Sequence, residues 1–182
     1  MPGETVGALG HHRDMQRRAV VRAGLAWLLG GFLRGRGRAA EAPPLNCDHA
    51  RWKTLLRPEQ YTTLFEESTE RPFSSPLEHE KRDGTFLCAA CRLPLFEAKA
   101  KFDSGTGWPS FFDPLPGRIA TRTDYKLLLP RTEYHCSRCG GHQGHVFNDG
   151  PKPTGKRYCN NGVALEFVAQ ADPIPPLRDC PS

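Results

Sequence analysis

The chain has no long apolar run. Its longest uncharged stretch, Ala23 to Leu33, is 11 residues, whereas a membrane-spanning helix needs about 20. A stable membrane anchor is therefore not expected. A basic face is missing as well. The net charge is +5, but residues 1–42 hold seven arginines against Glu4, Asp14 and Glu41, so four of the five net charges sit there and one is left for the rest. A near-neutral body does not carry the electrostatic footprint of a nucleic-acid binder. No internal repeat is visible, which excludes solenoid and propeller arrays. Long helices should be few, because Gly 18 and Pro 17 punctuate 182 residues with turns. What remains, at 38% apolar and 25% charged, suits one soluble domain with a tail.

Residues 1–42 read as a targeting segment. Arg17-Arg18 precede the apolar run, Arg34, Arg36 and Arg38 follow it, and Ala40-Glu41-Ala42 is a small-x-small step. Paired arginines before a short apolar run point to twin-arginine-like export to a bacterial periplasm or cell envelope. A mitochondrial transit peptide, also Arg-rich and poor in acids, is the alternative. Met15 could be the true start. Residues 43–50 form a proline-containing linker, residues 51–169 the domain, and residues 170–182 a loose tail.

Asp48 is a candidate N-cap for one or two helical turns. Pro58 suits the first position of a helix running to about Glu67, with Tyr61, Leu64 and Phe65 on its apolar face. Short strands follow over Gly84 to Leu87, Leu93 to Phe96, Tyr125 to Leu129, Glu133 to His135 and Val163 to Phe167. The expected fold is mainly β: antiparallel sheets behind short N-terminal helices.

Seven cysteines are present. Cys88-x-x-Cys91 and Cys136-x-x-Cys139 together offer four thiolates, the donor set of a closed tetrahedral zinc site. The gap between the pairs suits a clip joining two parts of a larger domain. Redox-active Cys-x-x-Cys pairs, or two disulfides in an exported protein, are the alternatives. Each such disulfide would close a loop too small to stabilise much. A four-sulfur site leaves no open position, so its role would be structural. Cys159 stands apart from these pairs. Arg157, two positions before it, shares its face on a strand and would favour the thiolate. His142 and His145 lie among glycines that let the backbone bend both rings toward a pocket, free for acid–base work.

Gly105-Thr106-Gly107-Trp108-Pro109-Ser110-Phe111, Gly141-His142-Gln143-Gly144-His145-Val146-Phe147 and Arg157-Tyr158-Cys159-Asn160-Asn161 resemble the B-type peptide methionine sulfoxide reductases. So do Arg57-Pro58-Glu59-Gln60-Tyr61, Thr69-Glu70-Arg71-Pro72-Phe73 and Asp149-Gly150-Pro151. The resemblance runs in order from about Trp52 to Phe167. It implies two antiparallel sheets forming an open barrel-like core, clipped by a structural Zn2+ on Cys88, Cys91, Cys136 and Cys139. It also implies reduction of methionine-R-sulfoxide, free or in oxidised proteins. Cys159 would attack, His142 and His145 would bind and protonate the oxygen, and Asn161 would hydrogen-bond in the pocket. Arg157 would keep the thiolate charged, and Trp108, with Phe111, would hold the methyl group. The product on Cys159 would be a sulfenic acid.

Three positions depart from the family pattern. Thr106 stands where many relatives have a cysteine that resolves the sulfenic acid. Cys47, on the linker, is then the favoured resolving residue, and Cys180 or an external thiol are the alternatives. A disulfide so formed would be reduced by a thioredoxin-like partner. Gly162 replaces a frequent serine and Gln143 a frequent leucine. The expected protein is a monomer. The other function classes open to the sequence are a zinc-clipped binding module and a redox sensor, both without turnover.

Overall fold

Residues 42–126 and 129–182 are described in a computed structural model. The segment expected to target the chain lies, apart from Ala42, outside the described residues. Asp48 accepts the Ala50 amide at 2.8 Å and caps a 3-10 turn over His49–Thr54. Pro58 opens α1 (Pro58–Glu66), and the Gln60 side chain reaches back to the Arg57 amide. The missing N–H of proline costs nothing there, because that amide has no partner in any helix. Glu67, at φ 55°, ends the helix. Tyr61 and Leu64 are buried as the helical spacing predicts, and Phe65 stacks toward buried Trp52.

Among the described residues, nine strands form two antiparallel sheets, not closed into a barrel. β1 (Gly84–Cys88), β2 (Pro94–Glu97) and β9 (Leu165–Ala169) make one sheet in the order β2-β1-β9. The other contains β3 (Lys101–Phe102), β4 (Ser110–Phe111), β5 (Ile119–Asp124), β6 (Arg131–Cys136), β7 (His142–Phe147) and β8 (Arg157–Asn160). Its order is β3-β4-β8-β7-β6-β5. An aromatic core lies between them. Phe86, Phe96, Phe111 and Tyr134 have no exposure, and Phe111 stacks on Phe96 with ring centroids 4.2 Å apart.

This placement corrects the expectation that Phe111 binds substrate. Its neighbour Ser110 pairs with Cys159 across β4 and β8. Adjacent strand residues point to opposite faces, so Phe111 faces the core.

The strand expected over Tyr125 to Leu129 is displaced. Ile119–Asp124 is the strand, paired residue for residue with Arg131–Cys136. Leu127 and Leu128 lie outside the described residues, while Tyr125 and Leu129 are each 75% exposed in the connection. Two directly opposed ion pairs, Arg122 with Glu133 and Asp124 with Arg131, match this register and outweigh the apolar run. The strand expected from Val163 begins two residues later, after a 3-10 turn over Gly162–Ala164.

Nor is the tail loose. The Arg178 amide donates to the Cys91 carbonyl, and its guanidinium donates to the carbonyls of Ala89 and Ala90. Arg138 holds the Arg178 carbonyl and Asp179 from the other side. A disulfide joins Cys180 to Cys47.

Candidate active site and metal centre

The first cysteine pair lies at the β1–β2 turn and the second at the β6–β7 turn, one from each sheet. The two knuckles repeat the same backbone pattern. Arg92 N donates to Cys88 O and Gly140 N to Cys136 O, while Cys88 N and Cys136 N donate to Leu93 O and Gly141 O. Arg92 and Gly140 both take positive φ, 60° and 74°, turning the chain after the second sulfur.

The four sulfurs are buried and lie within 4.8 Å of one another. Cys88 Sγ is 3.6 Å from Cys139 Sγ, and Cys91 Sγ is 3.5 Å from Cys136 Sγ. A disulfide needs about 2.0 Å, whereas tetrahedral ligation with bonds of about 2.3 Å places sulfurs roughly 3.8 Å apart. The spacing therefore fits a shared metal ion and not a pair of disulfides. Hydrogen bonds among the thiols, with Cys136 first, push Cys91 far below the usual thiol range and Cys88 and Cys139 well above it, because four buried sulfurs cannot all carry negative charge without a cation.

Cys159 lies on β8 between Ser110 of β4 and His145 of β7, its register partners. With Trp108, His145, Arg131 and Asn161 it lines a cavity of about 120 Å³. Gly144 lets β7 come this close: a Cβ there would sit 1.9 Å from the Cys159 carbonyl oxygen. Burial pushes the Cys159 thiol up. Arg157 and the hydroxyls of Thr106 and Ser110 pull the other way without prevailing. The expectation that Arg157 keeps the resting thiolate charged is therefore met only in direction. Arg157 is itself committed to Asp149 through two 2.8 Å bonds and packs over the Phe147 ring. The rate of iodoacetamide alkylation at Cys159 should accordingly keep rising past pH 9, because thiolate is the reactive form. A plateau below pH 8, read by mass spectrometry of the modified peptide, would contradict the burial argument.

The two histidines separate in the structure. His145 lines the cavity. His142 is 3% exposed and sits 2.5 Å from Glu133, outside the cavity lining, with its ring 5.5 Å from that of His145. Burial pushes His142 below the usual imidazole range, against the pull of Glu133.

The loop after α1 fixes the rest of the cavity. Glu70 O accepts from Trp108 Nε1 at 3.0 Å, and Glu70 N donates to Asn161 Oδ1 at 3.0 Å. The Glu70 carboxylate takes the Gly162 and Val163 amides. Asn161 also donates to the Gln143 carbonyl, so its side chain braces the wall it belongs to. Gly162 has its own reason here: a Cβ would stand 1.9 Å from Ser75 Oγ, which already fills the space a serine would take. Gln143 is wholly buried, donates to Cys88 Sγ and accepts from Asn160. It thereby links the sulfur cluster to the strand that bears Cys159.

Cys47 and Cys180, expected as resolving residues, are bonded to each other in this state. Sequence reasoning passed over Glu70, Asp124, Arg131 and Glu133. Glu70 sits in the Thr69-Glu70-Arg71-Pro72-Phe73 motif without its bonds being legible there, and nothing local marks the other three, since each acquires its partner from another strand or loop.

The SelR domain family model matches residues 56–169. A "Peptide methionine sulfoxide reductase MsrB" of Methanosarcina mazei is 51% identical over 122 residues, 66% of this chain and 87% of that protein. One of Agrobacterium fabrum is 49% identical over 127 residues, 69% and 94%. A "Peptide methionine sulfoxide reductase B1, chloroplastic" of Arabidopsis thaliana is 46% identical over 119 residues, 65% and 59%. Among solved structures, a Mis18 "Yippee-like" domain aligns at 17% identity and TM-score 0.39 over 50% of this chain and 100% of that one. That likeness is too loose to carry an argument. With the SelR match spanning the cysteine knuckles, the cavity and Cys159, the chain belongs to the B-type peptide methionine sulfoxide reductase family, a family of oxidoreductases.

Proposed function

We propose that the protein reduces methionine-R-sulfoxide, free or in oxidised proteins, to methionine. The observation that carries this reading is the convergence of Cys159, Trp108 and His145 on one small cavity. Trp108, pinned through its indole N–H, supplies a rigid aromatic wall for the S-methyl group. Sulfoxide oxygen is a poor leaving group until protonated, and His145 is the acid at hand. The oxygen passes to Cys159 Sγ as a sulfenic acid. The methionine sulfur gains two electrons and the cysteine sulfur loses two.

An external thiol, of the thioredoxin-like class, then attacks the sulfenic acid and releases water. A second thiol of that donor breaks the mixed disulfide. Direct attack is favoured because Cys47 and Cys180 are committed to each other and Thr106 offers only a hydroxyl. Zn2+ on Cys88, Cys91, Cys136 and Cys139 would tie the sheets together. A tail disulfide also suits an oxidising compartment, which supports the export reading of residues 1–42.

The test is turnover of the two dabsyl-methionine sulfoxide epimers with dithiothreitol, then with thioredoxin and its reductase. Methionine should form from the R epimer alone with both reductants, and a Cys47→Ser/Cys180→Ser variant should keep both activities. Oxidation of Cys159 without methionine release would favour a sensor. Loss of thioredoxin-driven turnover alone in the double variant would return the resolving role to one of those cysteines.

A further inference from the structure

The hairpin of β5 and β6 carries two cross-strand ion pairs, and each carboxylate continues to a histidine of β7. Arg122 meets Glu133, which meets His142; Arg131 meets Asp124, which meets His145. The two relays run side by side but end differently, because only His145 and Arg131 reach the cavity.

We propose that Asp124 is the positioning carboxylate for His145, fixing which ring nitrogen carries the exchangeable proton and holding the imidazole as proton donor to the substrate oxygen. This rests on the reading of the cavity as a methionine sulfoxide site.

His145 Nε2 lies 2.8 Å from Asp124 Oδ2. The Lys126 amide, at 2.8 Å from Asp124 Oδ1, is the largest of the influences that hold the Asp124 carboxyl far below the usual range. The His145 and Arg131 bonds act in the same direction. An ionised carboxylate only accepts. Nε2 therefore carries its hydrogen in both ring states, and Nδ1 is the nitrogen that gains and loses a proton. Asp124 is 6% exposed, so water does little to screen the pair.

The other groups facing His145 are Glu133 on β6, His142 on its own strand and Cys159 on β8, the first and last directly opposite it in register. Cys159 rests as a thiol and the His142 ring is pushed toward its neutral form by burial. Glu133 is divided among Arg122, His135 and His142. Among the described residues, Asp124 is the carboxylate within hydrogen-bond distance of His145. In the reaction, the Nδ1 proton goes to the sulfoxide oxygen. The bond from methionine sulfur to oxygen breaks, the Cys159 Sγ–O bond forms, and the proton lost from the Cys159 thiol restores Nδ1.

The experiment combines 15N NMR of the imidazole nitrogens with kcat and KM, for the wild type, Asp124→Asn and Asp124→Glu. In the wild type, the neutral ring should carry its proton on Nε2. Asp124→Asn should lose that preference, with population moving to the Nδ1 tautomer, and kcat should fall about tenfold or more while KM holds. Asp124→Glu should restore part of the Nε2 preference and of kcat. A wild-type neutral ring with its proton on Nδ1 would overturn the proposal. So would an Asp124→Asn ring that keeps the wild-type tautomer while kcat falls. If Asp124→Asn does not fold, the tautomers of the wild type and of Asp124→Glu still decide the matter. If the wild type shows the Nε2 tautomer but does not reduce the sulfoxide, the functional reading fails and the positioning role stands.

Discussion

Cys159→Ser should abolish methionine formation, lowering kcat by about a thousandfold or more with any thiol donor. The substitution changes one atom in a half-buried position, so packing around Ser110 and Gly144 is preserved. What it removes is the chemistry. A serine hydroxyl is not ionised near neutral pH and has no oxidation state in which to receive the sulfoxide oxygen, whereas sulfur passes to a sulfenic acid. The structure also narrows the alternatives. Of the other six cysteines, four face one another in the cluster and two form the tail disulfide. A variant that still turned over would move the nucleophile into the cluster and reopen the redox reading of the Cys-x-x-Cys pairs. Metal content and melting temperature should match the wild type, which separates lost chemistry from lost fold. Trapping the wild type with a sulfenic-acid probe after one equivalent of sulfoxide should label Cys159, and the serine variant should remain unlabelled.

The sequence exposed those parts of the structure whose cause is local. Asp48, Pro58 and the helical spacing of Tyr61 and Leu64 mark the N-terminal turns because a cap, a fixed φ and an apolar face each act within one or two turns. Paired cysteines announce the cluster because four ligands need two tight knuckles. The long-range parts stayed hidden. His142–Phe147, where glycines let the backbone bend, carries no strand expectation from its sequence, yet it is a central strand whose Gly144 is dictated by the backbone of β8. The β5 strand, rich in threonine and charge, was passed over in favour of the apolar residues that follow it, because its register depends on ion pairs with a strand still to come. Phe111 shared a motif with Trp108 and was assigned the same role. The pleat sends it to the other face. The tail gave no periodic signal at all, since a disulfide and two arginines, Arg138 and Arg178, hold it.

Removing the zinc proposed for the four-sulfur cluster should unfold the domain well below the melting temperature of the loaded protein. The cluster is where the three-stranded and six-stranded sheets are tied, with one knuckle from each. Four buried sulfurs within 4.8 Å cannot all ionise without a cation, and protonated thiols give only weak hydrogen bonds. Structural zinc in isolated fingers contributes about 10–16 kcal/mol of apparent binding free energy. Whole domains are stable by only about 5–15 kcal/mol. Some of that contribution is replaced here by the aromatic core and by the Cys47–Cys180 strap. Even so, a net loss of about 4 kcal/mol, at roughly 2–4 °C per kcal/mol for a chain of this size, lowers the midpoint by about 8–16 °C. Cys136→Ser should show this fall, together with loss of one bound zinc per chain by elemental analysis. Chelation under non-reducing conditions should do the same while leaving the tail disulfide intact. Activity should decline as the folded fraction declines, since Cys159 is not a ligand. A metal-free protein with an unchanged midpoint, or Cys88 and Cys91 recovered as a disulfide in a fully active sample, would remove the metal clip from the account of how the two sheets are held.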